Sequence, residues 1–284
     1  MFASEKGHLE VVRVLLKAIA GSVEILGQKE ALNGRNALML ASRQGHAQVV
    51  SLLANAHRSP EFFRRQDKNG WSALMFASQK GSLPSVAALL DSSPATLGQT
   101  NNNGKNSLMI AFDSGSLSVV KFLLEEQGIL EHLHQKDKMG RNALMIASAK
   151  GRVDVVKLLL DIDSSRELIR LENKRGRSAL PLASVAGHFD VVKLLIEADS
   201  SSRHIYPAKS YHHDAMRLAS WQGHEHIVKL LLRSCGKYPA KHIRKVKKET
   251  KSLPCLHLLQ TYVARLEYIA LWPKRRYKYQ YYRG

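Results

Sequence analysis

The chain has 284 residues, 43 Lys and Arg against 24 Asp and Glu for a formal net charge of +19, and a hydrophobic content of 44%. That content suits a folded chain, and no apolar run approaches the length of a bilayer span. Only Cys235 and Cys255 occur, which excludes a disulfide framework and makes a reducing compartment the default.

From the N-terminus onward one phrase keeps returning. A truncated copy, "MFASEKGH", opens the chain. It is followed by "NALMLASRQGH" from Asn36, "SALMFASQKGS" from Ser72, "NSLMIAFDSGS" from Asn106, "NALMIASAKGR" from Asn142, "SALPLASVAGH" from Ser178 and "DAMRLASWQGH" from Asp214. The central alanine falls at Ala3, Ala41, Ala77, Ala111, Ala147, Ala183 and Ala219, and a glycine stands four residues after each. A near-constant period of 34 to 38 residues marks a repeat array.

Within a unit, Asn36, Ser72, Asn106, Asn142, Ser178 or Asp214 precedes an apolar run and suits a helix N-cap. The spacing predicts a helix of about eight residues closed by the glycine as a left-handed C-cap. A second helix follows, as in "VDVVKLLLDI" from Val153, then a linker and a turn such as "KNG" at Lys68–Gly70. One such unit cannot bury its apolar face alone, so neighbours must stack.

This pattern resembles the ankyrin repeat over residues 1–233. The turn glycines are Gly34, Gly70, Gly104, Gly140 and Gly176, and a Gly-His pair stands at Gly7/His8, Gly45/His46, Gly187/His188 and Gly223/His224. The departures are regular: the family's Thr is mostly Asn or Ser, its Pro mostly Ala, and its His mostly Met, as at Met39, Met75, Met109 and Met145. Pro181 falls in a first turn, where a missing donor is expected to do little harm. In the last unit His212 replaces the turn glycine.

The resemblance implies an all-α solenoid with units near 1–32, 33–68, 69–102, 103–138, 139–174, 175–209 and 210–233. Beyond it, a basic linker is expected over 234–252, a capping helix over 253–272 and a basic aromatic tail over 273–284. Met1 falls inside a unit's first helix, so either the first repeat is naturally ragged or, the preferred expectation, the sequence is a truncated piece of something longer.

No nucleophile elbow, phosphate-binding loop, dinucleotide fingerprint or paired carboxylate motif is present, so catalysis is not expected. His212, His213, Asp214, His224 and His226 cluster in sequence but lack a structural-zinc spacing. No cofactor, metal or small-molecule substrate is expected.

Relatives of the resembled family engage partners on the concave side. There the residues after the turn glycines, Arg35, Trp71, Lys105, Arg141 and Arg177, would form a ladder of cations holding one indole. Arg43, Lys80, Lys150 and Trp221 on the first helices would extend it. An acidic protein segment is the partner this predicts, with Trp71 as anchor because a tip tryptophan has no core to fill. A second row, Arg13, Lys121, Lys157, Lys193 and Lys229, falls on the second helices, so the cations also serve solubility.

Residues 234–284 carry 13 basic residues against Glu249 and Glu267. "RKVKK" at Arg244–Lys248 reads as a short nuclear-import address, giving a cytoplasmic or nuclear location. Leu256, Leu259, Val263, Leu266 and Ala270 share one helical face. In the tail, Lys274, Arg275, Arg276 and Lys278 would meet phosphates while Tyr277 and Tyr279 stack on bases; a plain solvated terminus is the competing reading. The sequence therefore points to a non-enzymatic scaffold that binds a protein on its concave face. A nucleic-acid-associated adaptor using the tail, and a regulatory fragment of a larger protein, stand as alternatives.

Overall fold

In a computed structural model the backbone is described for all residues except 20–22, 58, 127–132, 164–166, 201–210, 235–239 and 281–284. Side chains of 23–24, 200, 211–214, 240–242 and 267–280 are likewise outside the described set. Among the described residues the fold is all-helical, without a strand, as the repeat pattern predicts. The chain divides into two units, Met1–Ala147 and Ser148–Gly284.

In the first unit, helical hairpins pair Phe2–Lys6 with Leu9–Ala18, Ala37–Gln44 with Ala47–Ala56, Ala73–Lys80 with Leu83–Ser92, and Ser107–Ser114 with Leu117–Glu125. Leading helices pack on leading helices and trailing on trailing, each against its sequence neighbour. The helices start where the caps stand. Asn36 Oδ1 accepts from the Met39 amide at 2.9 Å, Ser72 Oγ from Met75 at 3.3 Å, and Asn106 Oδ1 from Met109 at 2.8 Å. Met39, Met75, Met109 and Met145 are fully buried between hairpins, the apolar packing expected of them.

The C-cap glycines carry a second role. Gly7 has φ +77°, and a β-carbon there would stand 2.6 Å from the ring of His46 in the next hairpin. His46 fills that space and shares a hydrogen bond of 2.9 Å between its Nε2 and the Glu5 carbonyl, one of the last in the preceding helix. A left-handed cap and a close approach thus both demand glycine.

In the second unit, Ala179–Ala186 pairs with Phe189–Ser200 and Tyr211–Gln222 with Glu225–Ser234. The unit boundary falls inside the helix Ala143–Ala149, and Val153–Ile162 belongs to the second unit. The glycine–histidine interlock recurs here: His188 meets the Ala149 carbonyl at 3.2 Å and His224 the Val185 carbonyl at 3.3 Å. The helix expected to start after Asp214 begins earlier, at Tyr211.

Three findings differ from the sequence reading. First, the inter-hairpin connections are not merely extended: Pro60–Arg64 and Glu167–Arg170 are short helices that bury Phe62, Phe63, Leu168 and Ile169. Second, residues Ala240–Glu249, expected within a linker, form a helix whose Ile243 and Val246, three apart on one face, are buried. With Leu253–Gln280, which runs past residue 272, it makes a further hairpin stacked on the one before. Its register matches the repeats. The Leu256 amide donates to the Ser252 carbonyl at 2.9 Å as Val228 does to His224 at 3.1 Å, and Ser252 lies over Gly223 as the histidines lie over theirs.

Third, the first hairpin is open. Val11 and Leu15 are 51% and 49% exposed, whereas Val49 and Leu53, at the same register in the next hairpin, are each 1% exposed. Val12 is the one residue of Leu9–Ala18 that is buried.

Candidate interaction surface

The hairpin tips are built around a carboxylate or amide that is buried at Asp67, Asn101 and Asp137 and half-buried at Asn173. Asp67 Oδ1 accepts from the amides of Asn69 at 2.9 Å and Trp71 at 2.8 Å. Asn101 does the same for Asn103 and Lys105, Asp137 for Met139 and Arg141, and Asn173 for Arg175 and Arg177. The side chain thus adds two acceptor contacts to the backbone bond that closes each turn, in which the amides of Gly70, Gly104, Gly140 and Gly176 donate to the carbonyls of Asp67, Asn101, Asp137 and Asn173. In the first unit neighbouring tips are also joined by main chain. The amides of Lys68, Asn102 and Lys138 donate to the carbonyls of Asn33, Asn69 and Asn103 at 2.9, 3.0 and 2.9 Å.

This construction changes the meaning of the expected cation ladder. Arg35 Nε donates to Asp67 Oδ2 at 3.2 Å, and its guanidinium lies over the Phe76 ring with 5.0 Å to the centroid. Arg141 donates to Asp137 Oδ2 through Nε at 2.8 Å and Nη2 at 2.7 Å. Lys105 is paired with Asp113. All three are half-buried, and Arg177 is half-buried as well. In the first unit the tip cations therefore neutralise and orient the tips.

The remaining predicted residues divide by unit. In the first, Arg43 and Lys80 are exposed at the ends of their leading helices, and the stem of Lys80 packs on Gly45. Trp71 is half-buried and stacks on Phe76, with ring centroids 5.1 Å apart and planes at 29°. A tryptophan expected to lack a core is instead braced by one, since Phe76 is itself buried. In the second unit Lys150 is exposed and Trp221 is 50% exposed. Lys274, Arg275, Arg276, Tyr277, Lys278 and Tyr279 fall in the helix Leu253–Gln280, but their side chains lie outside the described residues, as do those of His212, His213 and Asp214.

Sequence reasoning passed over the residues that stand out most at the tips. Lys68, Asn69, Asn102, Asn103, Lys138, Met139, Lys174 and Arg175 are exposed. The signal was available: each pair sits between the turn's Asp or Asn acceptor and its glycine. As to chemistry, burial pushes the Cys255 thiol up, the wrong direction for a nucleophile. Among the described residues no helix is long and apolar enough to cross a membrane.

Capped leading helix, glycine C-cap, trailing helix and Asx-closed tip, repeated against sequence neighbours, define a class of protein, the helical-hairpin repeats that serve as interaction modules. A family model described as ankyrin repeats in three copies matches residues 1–96, 89–168 and 162–242, and the chain belongs to the ankyrin-repeat family. Among solved structures it is similar to the ankyrin repeat domain of Bcl-3, described as a unique member of the IκB protein family. The TM-score is 0.62 and the identity 27%, covering 82% of this chain and 96% of that one. No curated protein sequence matches the chain.

Proposed function

We propose that this chain is a non-enzymatic ankyrin scaffold that docks a protein partner on its hairpin tips and the adjoining ends of its leading helices. The observation that carries the reading is the fixing of Trp71. Phe76 braces its ring, Asp67 holds its amide, and the same carboxylate holds Arg35 over Phe76. A large aromatic group held this way loses little entropy when a partner covers it, which is how interface anchors gain their strength. Exposed Lys68, Lys80 and Arg43 around it favour a partner with acidic groups at the rim.

Affinity capture with the full chain, read by mass spectrometry with and without nuclease, identifies the partner. Trp71→Ala is expected to weaken that partner's binding by roughly tenfold or more. Arg13→Ala, an exposed change on the trailing helix Leu9–Ala18, should leave it unchanged. Equal binding by wild type and Trp71→Ala would remove the tip from the interface.

A further inference from the structure

The open face of the first hairpin is a surface that the tips do not use. Along Leu9–Ala18 the exposed apolar residues are Val11, Val14, Leu15 and Ala18, the spacing of one stripe on a helix. Val14, at the middle of that stripe, is 64% exposed. In the next hairpin Ala47–Ala56 buries Val49 and Leu53 at the matching register, with Leu9–Ala18 packed against it. No described hairpin does the same for Leu9–Ala18 itself. Met1, at the register of the fully buried Met39, is exposed as well.

The charges along the stripe are polarised. Glu10 stands near its start and Lys17 near its end, two turns apart and therefore on the same edge. Glu10 already meets Arg13 of its own helix at 3.4 Å, yet its side chain is 76% exposed and can take a second cation. A helix with this edge complements itself turned end for end. Antiparallel pairing about Val14 sets Glu10 of each copy against Lys17 of the other, whereas parallel pairing sets Glu10 against Leu15 and forms no charge pair.

The hairpin made by Ala240–Glu249 and Leu253–Gln280 does not offer such a face. By its repeat register Arg244 and Lys247 stand where the preceding hairpin has Met216 and Ala219, both buried. A head-to-tail contact between copies would press those cations onto Val11 and Leu15, with the desolvation cost of charge on apolar surface. Like face on like face remains, and a two-fold contact closes at two copies, where a head-to-tail one runs on as a filament. We propose that the chain forms a two-fold dimer through Leu9–Ala18, the stripes of the two copies packed antiparallel. The inference does not rest on the tip reading, and the dimer would carry the tip surface twice.

The test is sedimentation velocity of the full chain over a dilution series. A contact one hairpin wide lies at the small end of specific interfaces, so the midpoint is expected in the micromolar range. Val14→Lys should leave a monomer throughout; the site is exposed, so its thermal melting at high dilution should match wild type and exclude unfolding as the cause. Glu10→Lys alone, or Lys17→Glu alone, turns attraction into repulsion on both sides of the axis and should weaken dimerisation by about 5- to 30-fold. Both exchanges in one chain restore opposite charges and should recover most of the affinity, which a merely adhesive surface would not do. A monomer at every concentration overturns the proposal and leaves the face to a further hairpin or another protein. So do a dimer indifferent to Val14→Lys, a doubly exchanged chain no tighter than the single ones, or masses that grow past two copies.

Discussion

Pro181 stands where earlier hairpins have Met39, Met75 and Met109, and those residues' amides are the donors that the N-cap side chains accept. Proline has no such donor. Ser178 accordingly makes no capping bond, and its hydroxyl oxygen is buried without a partner. Pro181→Met restores the missing amide and is expected to raise stability by about 1 kcal/mol, the usual worth of a Ser cap. Urea unfolding of the two proteins measures it, and an unchanged or lower midpoint would contradict the assignment. The sequence reading judged this proline harmless because it weighed only the helix's own ladder, in which a first-turn donor is unused. The capping bond, which does use it, was overlooked. The tip cations teach the same lesson. Arg35 and Asp67 lie 32 residues apart, so their pairing appears only when hairpins stack. Arg141 and Asp137 are four apart and could have been paired by spacing alone.

At the scale of the element, the final hairpin separates two accounts of residues 240–249. In a solvated linker Ile243 has nothing to touch, and Ile243→Ala would be silent. Buried as it is against the preceding hairpin, its truncation should cost about 2–5 kcal/mol, read as a lowered denaturation midpoint. This helix was hard to read because only two of its seven described side chains are buried and cations dominate the rest. Composition therefore outvoted periodicity. The leading helices of the earlier repeats were legible for the opposite reason. Six of eight residues in Ala37–Gln44 are buried, so cap, apolar run and glycine all pointed to one answer.

At the scale of the whole molecule, helices within each of the two units contact their sequence neighbours hairpin by hairpin. Stability should then behave as a sum of local terms and nearest-neighbour interfaces. A chain ending at Ser234 is expected to keep the helical circular dichroism of the remaining hairpins while melting at a lower temperature, since it loses the contacts of Ile243, Val246, Cys255 and Leu259. Collapse of all helical signal in that truncation would show cooperativity reaching well beyond neighbours. The period itself was fully legible in the sequence because the same geometric demands recur at each step. The surface was legible only in outline, since a charge's role depends on what stacks beside it.

The joining of tips through main chain has a consequence for how such a protein diversifies. Asn69 and Asn103 are exposed, yet what they hand to the next tip is a carbonyl oxygen that every amino acid possesses. Inherited changes at those two sites can therefore rewrite what the tips recognise while the joint beneath them is conserved. A lineage could explore new partners there without first having to repair its own fold.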